Sequence, residues 1–179
     1  MMTTRPNKIN LGCRNNLLPD HVNIDTCNLQ GGFADQVLQI NALELDMHFR
    51  GNSIEEVRAS HFFEHLTHFQ VSDLLYKIWG ILKPGGKLII IVPDFPALID
   101  DFQQRHRVGD FSTVDLLHLK VFNTEEETPH QTVWYEAIGR YYLEREGLFH
   151  VTHVTHPTKL EVLFRATKLD SPWESTKEL

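Results

Sequence analysis

The sequence predicts an α/β fold in which a seven-stranded, mostly parallel sheet closes in an antiparallel hairpin. Three observations carry that expectation. Seven segments read as strands. A helix-period segment then runs through Pro84-Gly85-Gly86 straight into the aliphatic stretch Leu88 to Val92, the pattern of a helix followed by a central strand buried on both faces. Two alternating segments joined by a tight His156-Pro157-Thr158 turn end the folded part. With 179 residues, 41% of them hydrophobic, and no Pro/Gly/Ser-rich linker, one domain over 1–179 is expected.

Taken in order, "KINL" (Lys8 to Leu11) is the first strand and His21 to Ile24 the second, so close that the helix between them must be very short or absent. "QVLQIN" (36–41) and "IEEVRAS" (Ile54 to Ser60) are the third and fourth. Ser72 is placed to cap a helix whose apolar Leu74, Leu75, Ile78, Trp79 and Leu82 share one face, with Pro84-Gly85-Gly86 stopping it. "KLIIIVPDF" is the central strand. Residues 95–133 read as a substrate-side insertion or lid, with helical stretches over 97–106 and 112–121 about Gly109-Asp110. "YEAIGRYYLEREG" is a final helix ending at Gly147, followed by the strands "LFHVTHVTH" and "KLEVLFRATK"; residues 171–179 form a frayed tail.

Composition excludes several classes. Lys and Arg total 17 against 24 Asp and Glu, and the net charge of -7 opposes the basic footprint of non-specific nucleic-acid binding. The first residues have no apolar h-region and no aliphatic run approaches a membrane span, so a cytoplasmic protein without a transmembrane segment is expected. Cys13 and Cys27 lack CxxC spacing and read as free thiols. Nothing in the sequence sets the oligomeric state.

The motifs "INLGCRNN", "HVNID", "GNSIEEVRASHFFEHL", "ILKPGGKLIIIVPDF" and the terminal hairpin, in this order over residues 7–168, resemble a small class I S-adenosylmethionine (SAM)-dependent methyltransferase of the type found near sugar and cell-surface biosynthesis enzymes. The resemblance implies a Rossmann-like three-layer sandwich and SAM as cofactor, with S-adenosylhomocysteine as product. It also implies methyl transfer to a small-molecule or glycan-linked acceptor, at oxygen. In such sheets the ligand lies beyond the carboxyl ends of the strands, which puts Gly12, Asp25, Asn41, Ser60, His61 and Asp94 along one rim.

SAM needs close backbone approach and an acid for its ribose diol. Gly12, flanked by Leu11, Cys13 and Arg14, has no Cβ to obstruct the first, and Asp25 can accept both hydroxyls. Arg14 stands where a cradling loop usually has a second glycine; it turns outward or pairs with the cofactor's carboxylate. Asn41, with Ala42 and Leu43, takes the place where the family often has an Asp contacting the adenine amine, and its amide oxygen can serve there. Ser60, His61 and His65 follow the fourth strand beside the expected methyl path. The plainer readings are a turn glycine, a solvated acid and a turn asparagine.

In "HFFEHLTH", His61, Glu64, His65 and His68 would share one face if helical. The Glu-His pair is similar to small-RNA 2′-O-methyltransferases and ubiquinone-type O-methyltransferases, which implies a divalent metal held with a distant histidine, here His130; His61 stands where those families have Glu. Such a nitrogen-rich set suits Zn, Fe or Mn better than Mg. The residues alone favour no metal, since "EHL" commonly starts a helix with its carboxylate at the positive end. His61 and His130 are candidate bases, with Asp94 as an orienting acid that equally suits a helix cap; His118 reads as structural. Phe95, Phe102, Phe111, Phe122 and Trp134 line an acceptor pocket or belong to the core. Alternation sends His150 and His156 to one strand face and His153 to the other, a solvent-facing pattern. Two alternatives stay open. One is a non-catalytic binding protein on the same fold, suggested by Arg14 and Asn41. The other is an NAD(P)-binding protein, disfavoured because no GxGxxG follows the first strand.

Overall fold

The structure is a computed structural model that describes residues 6–26, 34–108 and 129–170. The 112–121 helix, His118, Phe111, Phe122, Cys27 and the 171–179 tail lie outside the described residues. Seven strands, β1 (Lys8–Leu11), β2 (Val22–Asp25), β3 (Val37–Gln39), β4 (Ile54–Ser60), β5 (Leu82–Pro93), β6 (Phe149–Thr155) and β7 (Glu161–Lys168), form one sheet in the order β3-β2-β1-β4-β5-β7-β6. The first five are parallel and β7 runs antiparallel to both β5 and β6, so the α/β fold with a closing hairpin is as expected. The four described helices are α1 (Leu45–His48), α2 (His68–Ile81), α3 (Phe95–Arg107) and α4 (Glu136–Glu144).

No helix joins β1 to β2, as their spacing predicts, and the connection must satisfy its polar groups by other means. Two asparagines buried on adjacent strands do this. Asn10 Nδ2 donates to Asn23 Oδ1 (2.9 Å) and to the Asn16 carbonyl (2.9 Å), while Asn23 accepts from Leu18 N–H (2.9 Å) and donates to Leu18 O (3.1 Å). The loop is thereby tied to the strands it connects.

Alternation along β5 explains its unbroken aliphatic sequence. Leu88, Ile90 and Val92 enter the main core on one face, and Ile89 and Ile91 join Leu163 in a smaller cluster on the other. The main core takes Val71, Leu74, Leu75, Ile78 and Ile81 from α2 and is closed by Trp134, which packs edge-on against Phe63 and Phe164.

Four local expectations are corrected. Helix α2 begins at His68, not at a Ser72 cap: Thr67 accepts from Gln70 N–H (3.3 Å) and Gln70 Oε1 accepts from Thr67 N–H (2.9 Å), a reciprocal capping box. It ends at Ile81, because Leu82 already pairs with Ile54 in the sheet; Lys83 to Gly86 then bulge out before Lys87 pairs with Glu56, with Gly85 at φ 71°. The third strand stops at Gln39, leaving Asn41 in the following turn. Finally, the β6–β7 register slips between Val151 and His153, so Thr152 is extra and His153 faces the same way as His150, both exposed. Simple alternation fails there because the bulge resets it.

Candidate active site

Beyond the carboxyl ends of β1, β2 and β4 lies a cavity of about 280 Å3. Gly12 forms its floor. At φ 61° it adopts a left-handed conformation, and a Cβ there would stand 2.4 Å from the Phe62 ring. The next turn residue, Arg14, is also left-handed at φ 40°, and its N–H donates to Asp25 Oδ2 (2.8 Å). That bond fixes the last residue of β2 at the cavity wall.

Of the residues expected at a cofactor, Gly12, Arg14, Asp25, Asn41, Ala42, Leu43, His61 and His65 line this cavity. Leu11 and Cys13 are buried behind the floor, and Ser60 is the last β4 residue, with its neighbour His61 reaching the cavity instead. Asn41 lines the cavity while its amide oxygen accepts from Leu43 N–H (3.0 Å), capping the turn Ala42–Glu44. Ile24, Thr26, Ile40, Phe62, Leu66 and Gln70 also line it and were missed. A readable sign existed for Gln70, the third residue after Thr67 in the capping-box pattern. Phe62 had none, since its place depends on a contact with Gly12 across the sheet top.

The segment after β4 is not one helix, so His61, Glu64, His65 and His68 do not share a face. His61 takes a left-handed conformation (φ 53°), Phe63–His65 is a short 3-10 turn, and α2 starts afresh at His68. This turn is stitched to a distant part of the chain. Gln131 N–H and Thr132 N–H both donate to Glu64 O (2.7 and 3.1 Å), Gln131 Nε2 donates to His65 O (2.8 Å) and Thr132 Oγ1 to Phe63 O (3.2 Å). His130 is thereby brought against His65, their ring centroids 4.8 Å apart, and to buried Glu64. One ligand atom from each of Glu64, His65 and His130 falls within 4.8 Å of the others; His61 is outside that set.

His61 instead bridges two carboxylates, with Nδ1 3.4 Å from Glu64 and Nε2 2.6 Å from Glu161. The Glu64 contact raises its pKa above the ordinary value, burial opposes the rise, and Glu161 adds to it. His61 also lines a second cavity, of about 270 Å3, between α3 and the start of β7. There Asp101 is buried and paired with Lys159 and with Arg105 Nε (2.9 Å); Lys159, and after it Arg105, hold its carboxyl below the usual carboxylate range. Asp94 is away from both cavities: it occupies the N-cap position of α3 without a side-chain cap bond and pairs with His156 Nε2 (3.1 Å). Among the acceptor-side aromatics, Trp134 is core, Phe102 stacks on His106, and Phe95 edges a small void beside Glu64.

No model of a protein family matches the sequence, and no curated protein does. Solved structures match throughout the fold. A SAM-dependent methyltransferase from Methanosarcina mazei is 15% identical, with a TM-score of 0.64 over 90% of this chain and 92% of that one. The 1,6-didemethyltoxoflavin-N1-methyltransferase of Burkholderia thailandensis, solved with 1,6-didemethyltoxoflavin and S-adenosylhomocysteine bound, is 12% identical, with a TM-score of 0.62 over 91% of this chain and 71% of that one. A possible exported protein from Bordetella parapertussis is 18% identical (TM-score 0.58) over 92% of this chain, which spans only 62% of that protein's length. At such identities the likeness establishes a shared fold, the one these methyltransferases use.

Proposed function

We propose that the chain is a SAM-dependent methyltransferase that methylates a small acceptor, at oxygen. One observation carries the reading: a left-handed Gly12 and the Asp25 carboxylate face the same cavity at the carboxyl ends of parallel strands, where the chain order switches from β1 to β4. Asp25 suits the ribose diol, and Ile40, Ala42 and Leu66 supply an apolar wall suited to a flat base. Arg14, at the cavity edge, offers a charge for the cofactor's carboxylate. A structural neighbour named as a SAM-dependent methyltransferase and an N1-methyltransferase solved with S-adenosylhomocysteine bound support the same assignment.

His61 lines both cavities, so the methyl passes beside it from donor to acceptor. In-line displacement at a sulfonium-activated carbon depends chiefly on holding donor and acceptor together. For a hydroxyl acceptor a base is also needed. Once the hydroxyl takes the place of Glu161, a neutral His61 ring that keeps its proton on Nδ1 toward Glu64 accepts the hydroxyl's proton at Nε2. It does so as the oxygen–methyl bond forms and the methyl–sulfur bond breaks, and Glu64 stabilises the imidazolium. A cytoplasmic location and a sugar-linked acceptor belong to the same reading. Calorimetry with SAM, S-adenosylhomocysteine and NAD tests it: saturable binding of both SAM and S-adenosylhomocysteine with none of NAD is expected, and NAD binding alone would overturn it. The NAD reading lacks its usual phosphate-binding helix, because β1 leads to β2 without one. A non-catalytic binding protein is the second reading, favoured by the use of Asn41's amide as a cap. It predicts that neither SAM nor S-adenosylhomocysteine binds.

A further inference from the structure

The cavity between α3 and the start of β7 carries a charge arrangement that methyl transfer does not itself require. Asp101 is 4% exposed and both of its carboxylate oxygens are taken, Oδ1 by Lys159 Nζ and Oδ2 by Arg105 Nε (2.9 Å). With its oxygens engaged, this acid is a poor acceptor for the hydroxyls of a ligand, and it serves instead to fix two cations at the cavity wall. Lys159 and Arg105 both line the cavity, and their side chains stay 68% and 45% exposed. An ammonium has three N–H donors and Asp101 takes one, so Lys159 Nζ keeps two for a ligand. Arg105 brings a guanidinium, whose planar fork matches the oxygens of a carboxylate or phosphate. The other acid at this wall, Glu161, is engaged by His61 Nε2 (2.6 Å). The turn that carries Lys159 is held within the chain itself: Asp94 N–H donates to Leu160 O (2.9 Å) and Leu160 N–H to Thr158 Oγ1 (3.3 Å). Donors already held in place lose little freedom when a ligand binds.

We propose that the methyl acceptor is a small hydroxylated anion, a carboxylate or a phosphate ester, whose charged group binds Lys159 and Arg105 while its hydroxyl takes the place of Glu161 at His61 Nε2. This rests on the methyltransferase reading and adds the acceptor's charge to it. A cavity of about 270 Å3 is smaller than the roughly 300–1,000 Å3 of pockets that take drug-sized ligands, so the acceptor is metabolite-sized. The hydroxyl oxygen forms its bond to the methyl carbon as the methyl–sulfur bond breaks, the hydroxyl proton passes to His61 Nε2, and S-adenosylhomocysteine leaves with its sulfur uncharged. An uncharged molecule with the same hydroxyl lacks the contact to the two cations.

The test titrates the full chain, isotope-labelled for amide nuclear magnetic resonance and at low salt, with glycerate, glycerol phosphate and uncharged glycerol. At least one of the two anions should shift the amides of Arg105, Lys159 and Glu161 and bind about tenfold or more tightly than glycerol, and the two arms tell carboxylate from phosphate. Lys159→Ala should weaken that anion by about tenfold or more, whereas Lys83→Ala, which removes an equal charge at the far end of β5, should leave it unchanged. The proposal is overturned if neither anion binds more tightly than glycerol or if a folded Lys159→Ala binds as wild type does. Equal weakening by the two substitutions also overturns it, as general charge attraction. The amide spectrum reports whether each variant folds, and if Lys159→Ala does not, Arg105→Gln takes its place with the same outcomes. S-adenosylhomocysteine is titrated separately. A chain that binds it but neither anion loses only the acceptor class, and one that binds an anion but no S-adenosylhomocysteine keeps the anion site and loses the methyltransferase reading.

Discussion

The two walls of the cavity beyond the carboxyl ends of β1, β2 and β4 are built by different means. On the β1–β2 side the shape is local: a glycine and an arginine in left-handed turns, an acid at the next strand's end, and two buried asparagines tying down a loop that has no helix. On the β4 side it comes from residues far apart in sequence, where the 63–65 turn is pinned by residues 130–132 and backed by Trp134. The first wall can therefore be damaged one residue at a time with the fold intact. The second is part of the core, and damage there spreads.

Trp134→Ala should have the largest effect. The indole is 1% exposed, packs on Phe63, Tyr142 and Phe164, and donates from Nε1 to Thr132 Oγ1 (3.0 Å), so its removal should cost about 3–5 kcal/mol in urea unfolding. A loss below about 1 kcal/mol would show that the pinned segment does not brace that wall. Gly12→Ala comes next: the Cβ meets the Phe62 ring and the left-handed backbone disfavours it, so a loss of about 1–3 kcal/mol and much weaker S-adenosylhomocysteine binding are expected. Unchanged binding would remove Gly12 from the cofactor site.

Asp25→Ala sharpens the contrast, since it should lower affinity more than stability. Hydrogen bonds to a charged group contribute about 1.5–3 kcal/mol, so S-adenosylhomocysteine binding should weaken roughly ten- to hundredfold by calorimetry. Equal affinity in the two proteins would mean the diol lies elsewhere. Arg14→Gly separates the two properties further. Relief of the left-handed strain at φ 40° should raise stability by about 0.5 kcal/mol, while loss of the guanidinium weakens cofactor binding. A variant that binds as well as wild type would mean Arg14 points away from the ligand.

This contrast also marks what was legible in the sequence. The strand segments, the closing hairpin and the missing β1–β2 helix were readable because they follow from alternation and spacing within short windows, whereas Gly12 and Asp25 were named through the family resemblance and line the cavity beyond the strand ends. At the start of α2 the sequence offers two cap patterns, Ser72 and the Thr67/Gln70 pair, and the pair caps the helix because its two bonds satisfy donors reciprocally. The face of His153 was not readable, because one extra residue in β6 resets alternation. Nor could spacing show that His61 would leave the Glu64, His65 and His130 group, since that depends on a left-handed turn at His61 and on Glu161, contributed a hundred residues later.

The smallest effect is expected at the second cavity, where charge and not shape is organised. Asp101 is buried on α3 between Lys159 and Arg105, and these cations hold its folded pKa below that of an unfolded aspartate. A depressed acid stabilises the fold fully above its unfolded pKa, near 3.9, and loses that contribution as pH falls through the lower folded value. Asp101→Asn should accordingly lower stability modestly at neutral pH and flatten the decline on the acid side. Urea midpoints measured for both proteins from about pH 6 down to about pH 2 check this, the two curves converging as the acid is protonated. Parallel curves would mean that Asp101 gains nothing from its two cations. The acid side of the second cavity would then be shaped by packing alone, like the β4 wall it adjoins.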